Sequence, residues 1–405
     1  MRILQLRKWL SARQDNGGKV RATGLARALS HFGEVDAVGF GVPGDPERLE
    51  TAPPLAVYRQ LHPVLMERGA ARAVHFAAEL WRGSSLRSAR FRSVAYQRRV
   101  AALLCTGRYA ALQMEELSML RNLPPLPPVP VVYSAHNVES ELSDRLLRIR
   151  GGIAPSLARA ERRRAEEEER RALATARLCL AVSDDDRRVL ETLAAPHACP
   201  VHVVPNGVDD GVAPAPASAS ATAGPHEAVF VACFAWRPNA EGAYWFLSQV
   251  LPCLRRAGDR VRVRFVGSGL DGTLAAAIER AGCAAAADVP DPLPYLHAAR
   301  AAIVPLLSGG GTRLKILEAW AAGVPVVSTR MGAAGLDCVD GEDAMIACDP
   351  ESFAGALRRV LEDDALHAHL RENGLRRASL LRWSSLAPRL EALYATLLRA
   401  SGDNR

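Results

Sequence analysis

Short apolar runs separated by longer stretches of helical spacing dominate this chain. Residues 2–6, 35–40, 129–133, 178–182 and 201–204 are apolar with little alternation, and 228–232, 261–266, 301–305 and 324–328 form a second series of the same kind. Strands buried on both faces read this way, whereas strands with one wet face alternate. Each run is separated from the next by enough chain for a crossover helix. The pattern therefore predicts repeated βα units and parallel sheets with helices on both faces, and two series predict two such sheets.

The series are divided by residues 211–225, GVAPAPASASATAGP, where proline blocks helix and large apolar groups are too few for a core. This stretch is expected to be a linker or surface loop, with one domain over 1–210 and another over 226–383. A last helical pattern, with Leu386, Leu390, Leu393 and Leu397, follows Trp383.

Composition narrows the class. The 405 residues are 49% hydrophobic and 23% charged, which excludes disorder as the main state. The net charge of +7 is mild for this length and argues against a nucleic-acid binder. No run of about 18 apolar residues is present, so no membrane-spanning helix is expected. The eight cysteines show no CxxC spacing, and with no leader evident they are read as reduced core thiols of a cytoplasmic protein.

Two charged segments stand out. In 161–171, ERRRAEEEERR, Glu166 precedes Arg170 and Glu167 precedes Arg171 by four residues, the order of exposed helical pairs, so a solvated helix face is expected. Residues 57–100 hold nine arginines against two glutamates, with Trp81, Phe91 and Tyr96 interleaved. This reads either as plain arginine-rich surface or as a peripheral contact with anionic lipid at the inner face of a membrane.

The chemistry concentrates in residues 308–327, SGGGTRLKILEAWAAGVPVV. A glycine-rich turn after an apolar strand leads into a helix predicted over 313–322 and closed by Gly323. Free N–H groups at such a helix start, and its dipole, favour a negative ligand such as a diphosphate, and Arg313 and Lys315 add fixed charge. Glu318, beside the apolar stripe of Leu314, Leu317 and Ala321, leans back toward that end and suits neutral hydroxyls; the competing reading is a surface pair with Lys315. Asn16-Gly17-Gly18 precedes another helical pattern and reads as a plain loop or a ligand-facing turn. His136 follows the strand 129–133 and stands at the rim where open α/β sheets bind ligands, although lone histidines are as often structural. Ser183-Asp184-Asp185-Asp186 fits a helix N-cap with acidic residues on the dipole better than a metal site.

Together these motifs resemble the retaining glycosyltransferases of the group-1 (family-4) class with the GT-B fold. The resemblance is carried in order by Gly17-Gly18, His136-Asn137-Val138-Glu139, Val182-Ser183-Asp184 and Val204-Pro205-Asn206-Gly207-Val208-Asp209. It continues through Phe234-Ala235-Trp236-Arg237-Pro238-Asn239, Val266-Gly267-Ser268-Gly269, the 308–327 block and Trp383-Ser384. It implies two Rossmann-like doubly wound domains facing across a cleft, with residues 384–405 returning to the first. It also implies transfer of a sugar from a nucleotide diphosphate to an acceptor glycan, lipid-linked sugar or small molecule, without metal or other cofactor. Gly17 and Gly18 would then face the donor, and His136 the transferred sugar. Gly309, Gly310, Gly311, Thr312 and Leu314 would lie at the diphosphate, Glu318 at the ribose and Val289 at the base. Two departures accompany the match. Gly310 stands where the family usually has its first glutamate, and Arg237 is not followed by the usual lysine; Arg313 and Lys315 are the expected substitutes. A catalytically silent nucleotide- or glycan-binding subunit is the competing reading, and a nucleotide-sugar epimerase a further one.

Overall fold

The computed structural model describes residues 1–11, 17–41, 53–67, 69–143, 155–195, 199–215, 227–256, 258, 261–309 and 313–402. They form two compact units, Met1–Pro205 with Leu386–Arg405, and Asn206–Ser385.

The first unit is built on a seven-stranded sheet in the order β3-β2-β1-β4-β5-β6-β7. Its strands are β1 Arg2–Leu10, β2 Glu34–Gly41, β3 Gln60–Val64, β4 Ala111–Glu115, β5 Val131–Ser134, β6 Leu178–Ala181 and β7 Val201–Val203, all paired in parallel. The order reverses between β1 and β4, so the loops leaving these neighbours diverge and open a crevice at their carboxyl ends. The β1–β2 register slips between Leu6 and Trp9, which re-aims Arg7 and Lys8.

Strands β3 and β4 interrupt the apolar pattern. In β4, ALQME, Gln113 and Glu115 occupy fully buried positions of a central strand, which conceals it from a search for continuous apolar runs. The final helix, Trp383–Gly402, starts in the second unit. From Leu386 it belongs to the first, where Tyr394 donates to Gln113 and its ring lies 6.1 Å from that of Phe32.

The helix Pro155–Thr175 corrects the expectation of a solvated face over 161–171. The Glu166–Arg170 and Glu167–Arg171 pairs do form on the outside. Glu161, Glu168 and Glu169, however, are buried and accept from backbone N–H groups of Leu86, Ser85 and Glu139 respectively. Those carboxylates satisfy amides that the packed loops would otherwise leave bare.

The second unit has six parallel strands in the order β10-β9-β8-β11-β12-β13, reversing between β8 and β11. They are β8 Glu227–Val231, β9 Arg262–Gly267, β10 Ala284–Ala287, β11 Ala301–Val304, β12 Val326–Thr329 and β13 Met345–Ala347. The carboxyl ends of β8 and β9 are pressed together: a Cβ on Gly267 (φ 138°) would lie 2.0 Å from the Ala232 carbonyl, and one on Gly269 (φ 71°) 2.6 Å from the Ala235 nitrogen. Only glycine fits this close backbone approach.

The division between units falls after Pro205 rather than after residue 210, because residues 207–212 are sewn to 381–384. Val208 N–H donates to Leu381 O (2.9 Å), Trp383 N–H to Val208 O (3.2 Å), and Arg382 to the carbonyls of Asp209, Asp210 and Val212. A Cβ on Gly207 would meet the Trp383 ring at 2.7 Å. Residues 211–215 are likewise fixed, with Ala215 bonded to Ala322 and Arg371, so the expected linker does not begin there; 216–225 lie outside the described residues. Of the eight cysteines, Cys179 and Cys199 are buried while Cys105 and Cys348 are exposed, so the reading of all as core thiols is corrected.

Candidate functional site

In the second unit, the segments following β8 and β11 hold Arg237, Gly309, Arg313, Leu314, Lys315 and Glu318. Arg237 opens the helix Arg237–Trp245, and its Nε bonds Glu241 Oε1 at 2.7 Å. The other Glu241 oxygen accepts from Ser308 at 3.2 Å, joining the helix to the head of the glycine turn. Gly309 has φ 122°, and a Cβ there would lie 3.1 Å from the guanidinium of Arg313, itself only 7% exposed. Arg313 also donates to Met331 O at 3.4 Å. Gly310, Gly311 and Thr312 lie outside the described residues.

The helix Leu314–Ala321 then begins with half-buried Leu314 and ends at Gly323, whose φ of 71° is the left-handed stop the sequence indicates. Lys315 does not pair with Glu318 on the surface. Its ammonium reaches Asn239 Oδ1 at 2.6 Å and lies 5.0 Å over the Phe230 ring. Burial, reinforced by Arg313, lowers the Lys315 pKa to about 7. Among the described residues the Glu318 carboxylate has no hydrogen-bond or ion-pair partner, and burial raises its pKa to about 7 against the pull of Lys315. Two cations thus stand near one another, Arg313 against Gly309 and Lys315 bonded to a neutral amide. Such a place stabilises an incoming anion. Val289 sits apart from this cluster, half-buried after β10, next to Asp288, whose N–H bonds Gly267 O at 2.8 Å with a φ of 50°.

In the first unit the site forms where β1, β4 and β5 end. His136 is 7% exposed, and its Nε2 lies 2.7 Å from Glu115 Oε2, while Nδ1 is 3.7 Å from Glu116 Oε1. Glu115 also accepts from Gln5 (2.7 Å) and Gln113; burial opposes its ionisation, but His136, Gln113 and Arg21 hold it below the usual carboxylate range. Glu116 has φ 68°, a strained conformation for a residue with a side chain, and its carboxylate pairs with Lys8. Although desolvation opposes ionisation, Lys8, His136 and Arg87 together lower its pKa to about 2. Glu139, from the same segment as His136, pairs with Arg87. Arg21 is buried beneath, donating to Val204 O at 2.9 Å, with its pKa lowered by burial to about 10.

The sequence reading singled out His136 but not its partners Glu115, Glu116 and Lys8. The available signal was length: almost 90 residues between the runs at 35–40 and 129–133 are too many for one crossover. Gly17 and Gly18 are not in a loop but form the first turn of the helix Gly17–Ser30. Ser183 Oγ accepts from Asp186 N–H at 3.1 Å, as a cap should, and Asp184 and Asp185 pair with Arg187 and Arg188.

Comparison with known proteins completes the picture. The description Glycosyltransferase Family 4 matches residues 15–212, and Glycosyl transferases group 1 matches 225–363. D-inositol 3-phosphate glycosyltransferase of Corynebacterium diphtheriae is 34% identical over 83 residues, 20% of this chain; the match spans about a fifth (19%) of that protein. Among solved structures, Anabaena HepE in complex with UDP and glucose superposes with a TM-score of 0.67 at 16% identity, covering 97% of this chain and 99% of that one. Sucrose-phosphate synthase from Thermosynechococcus elongatus does so with a TM-score of 0.70 at 18% identity, covering 98% and 99%. These structures share the GT-B arrangement of two parallel-sheet α/β domains. With its two halves matched in order by these two glycosyltransferase families, the chain is a glycosyltransferase.

Proposed function

We propose that this enzyme moves a sugar from a nucleotide-diphosphate donor to an acceptor hydroxyl with retention of configuration. The observation that carries the reading is Lys315, an ammonium held at Asn239 close to Arg313, whose guanidinium lies against Gly309. As the bond from anomeric carbon to phosphate oxygen breaks, its electron pair leaves with the diphosphate. The acceptor oxygen bonds the same carbon and its proton passes to the departing phosphate oxygen. Cations already aimed at the leaving group stabilise the charge that develops, a role divalent metal fills in other sites. Glu318 is assigned to the ribose hydroxyls, Val289 to the base, and Leu314, Gly310, Gly311 and Thr312 to the phosphate turn. Gly17, Gly18 and His136 are assigned to the transferred sugar, and acceptor recognition to the first unit. UDP is the first nucleotide to try, because HepE is a structural neighbour solved with it.

Thermal stabilisation by UDP, GDP, dTDP and ADP identifies the base, since a ligand at 100 times its Kd adds about 2.7 kcal/mol. Nucleotide release from the matching sugar donor, with and without candidate acceptors and with and without chelator, then tests transfer, and NMR of the product tests retention. Stabilisation without release in any acceptor screen would make the chain a binding subunit. An Arg313→Ala variant with unchanged donor affinity and turnover would reject the diphosphate assignment.

A further inference from the structure

Two distant segments of the chain converge on Glu115. Gln5 of β1 and Gln113 of β4 are register partners, and Glu115 lies two residues beyond Gln113 on the same face of the sheet. All three side chains are buried, and both amides donate to Glu115 Oε1, Gln5 at 2.7 Å. Each amide is locked in its orientation by a tyrosine. Arg7, which can only donate, bonds the Tyr58 hydroxyl at 2.6 Å, so that hydroxyl directs its own proton to Gln5 Oε1, also at 2.6 Å. Tyr394, on the final helix, donates to Gln113 Oε1. Turning either glutamine over would set its carbonyl oxygen against the carboxylate and strand a buried hydroxyl proton.

The second carboxylate oxygen, Oε2, meets His136 Nε2 at 2.7 Å. An ionised carboxylate only accepts, so the proton of this bond belongs to Nε2. The other ring nitrogen is buried and has no hydrogen bond. Glu116 Oε1, 3.7 Å from Nδ1, is too distant for one, and the Glu116 carboxylate is paired with Lys8. Neutral imidazole held this way presents Nδ1 as a bare acceptor, the complement of a hydroxyl proton. We propose that Glu115, aligned by the Gln5–Tyr58 and Gln113–Tyr394 pairs, is a positioning residue that keeps the His136 proton on Nε2 and reserves Nδ1 to accept from a hydroxyl of the transferred sugar. The sugar half rests on the role given to His136 above; the tautomer half does not.

Nitrogen-15 NMR of the full chain labelled at histidine tests both halves, with His136→Gln identifying the His136 signals. Once the ring has titrated to its neutral form, the wild type is expected to carry the proton on Nε2. In Glu115→Gln the two glutamine donors claim the new carbonyl oxygen, so its NH2 group faces His136 and the proton is expected to move to Nδ1, with nucleotide release lowered about 10²-fold or more. Adding Tyr394→Phe to that variant frees Gln113 to turn and is expected to return part of the population to Nε2. A wild-type proton on Nδ1 would overturn the proposal without need of any variant, and so would an unmoved proton in Glu115→Gln. Unchanged populations on adding Tyr394→Phe would remove the tyrosine from it. UDP-, GDP-, dTDP- and ADP-glucose are then added in turn. The one that raises the melting temperature is expected to shift the Nδ1 resonance, and binding that leaves it in place would overturn the sugar half. If none binds, the functional reading and the sugar half fall together while the tautomer stands on the spectra alone.

Discussion

Where β1 and β4 end in the first unit, Lys8, Glu116, Glu115, His136, Gln5 and Gln113 join in a largely buried network that pairs its charges and leaves His136 Nδ1 without a hydrogen bond. Where β8 and β11 end in the second, the same topological position holds charges less fully compensated among the described residues. Lys315 is bonded to an amide oxygen, Glu318 has no hydrogen-bond or ion-pair partner among the described residues, and burial drives both toward about 7 from opposite sides. The contrast teaches where binding energy resides. A self-satisfied network holds its shape, while an under-compensated one holds a deficit that a ligand of the right sign can remove.

The largest expected effect breaks this contrast at the second unit. Lys315→Met should reduce turnover by about 10²–10³-fold. It should also raise stability by about 1–2 kcal/mol, after allowance for the lysine's partial exposure, because an ionised group is no longer desolvated on folding. Near-wild-type turnover would show that the ammonium is not aimed at the leaving group. In the first unit the sign of the stability change reverses. Lys8→Met strands the buried Glu116 carboxylate and should cost about 2–3 kcal/mol at neutral pH. Glu116 has a native pKa of about 2 against an ordinary 4.5, so its stabilisation is present above 4.5 and disappears as pH falls through 2. Urea titrations should find that slope in the wild type and a flatter one in the variant.

A smaller effect sharpens the comparison through protons. A bound diphosphate raises the Lys315 pKa from about 7, so binding takes up a proton and nucleotide affinity falls as pH rises above 7, by up to about 1.4 kcal/mol per unit. Calorimetry in buffers of different ionisation enthalpy reads the uptake directly, and a flat profile from pH 7 to 9 would sink it. The smallest is Ser183→Ala, which should cost about 1 kcal/mol of stability through the lost cap and leave nucleotide affinity unchanged.

The legible parts of the fold were those whose strands are apolar throughout, such as LCLA in β6 and AAIV in β11. β10 is four alanines and β13 only three residues, too weak or short to register as strands. β4 escaped because its buried Gln113 and Glu115, which join the network around His136, break the apolar run. The same asymmetry governs the site itself. The glycine-rich block announced itself because glycine and cations at a helix start have local meaning. Glu115, Glu116 and Lys8 acquire theirs only when strands 100 residues apart in sequence become neighbours.

The stitching of 207–212 to 381–384 has a practical corollary. The second unit is one uninterrupted stretch of chain whose entry and exit emerge side by side, the arrangement that lets a domain be excised or grafted without tearing its host. Replacing residues 206–385 as a single cassette is therefore a direct way to test the proposal that this unit carries the nucleotide preference.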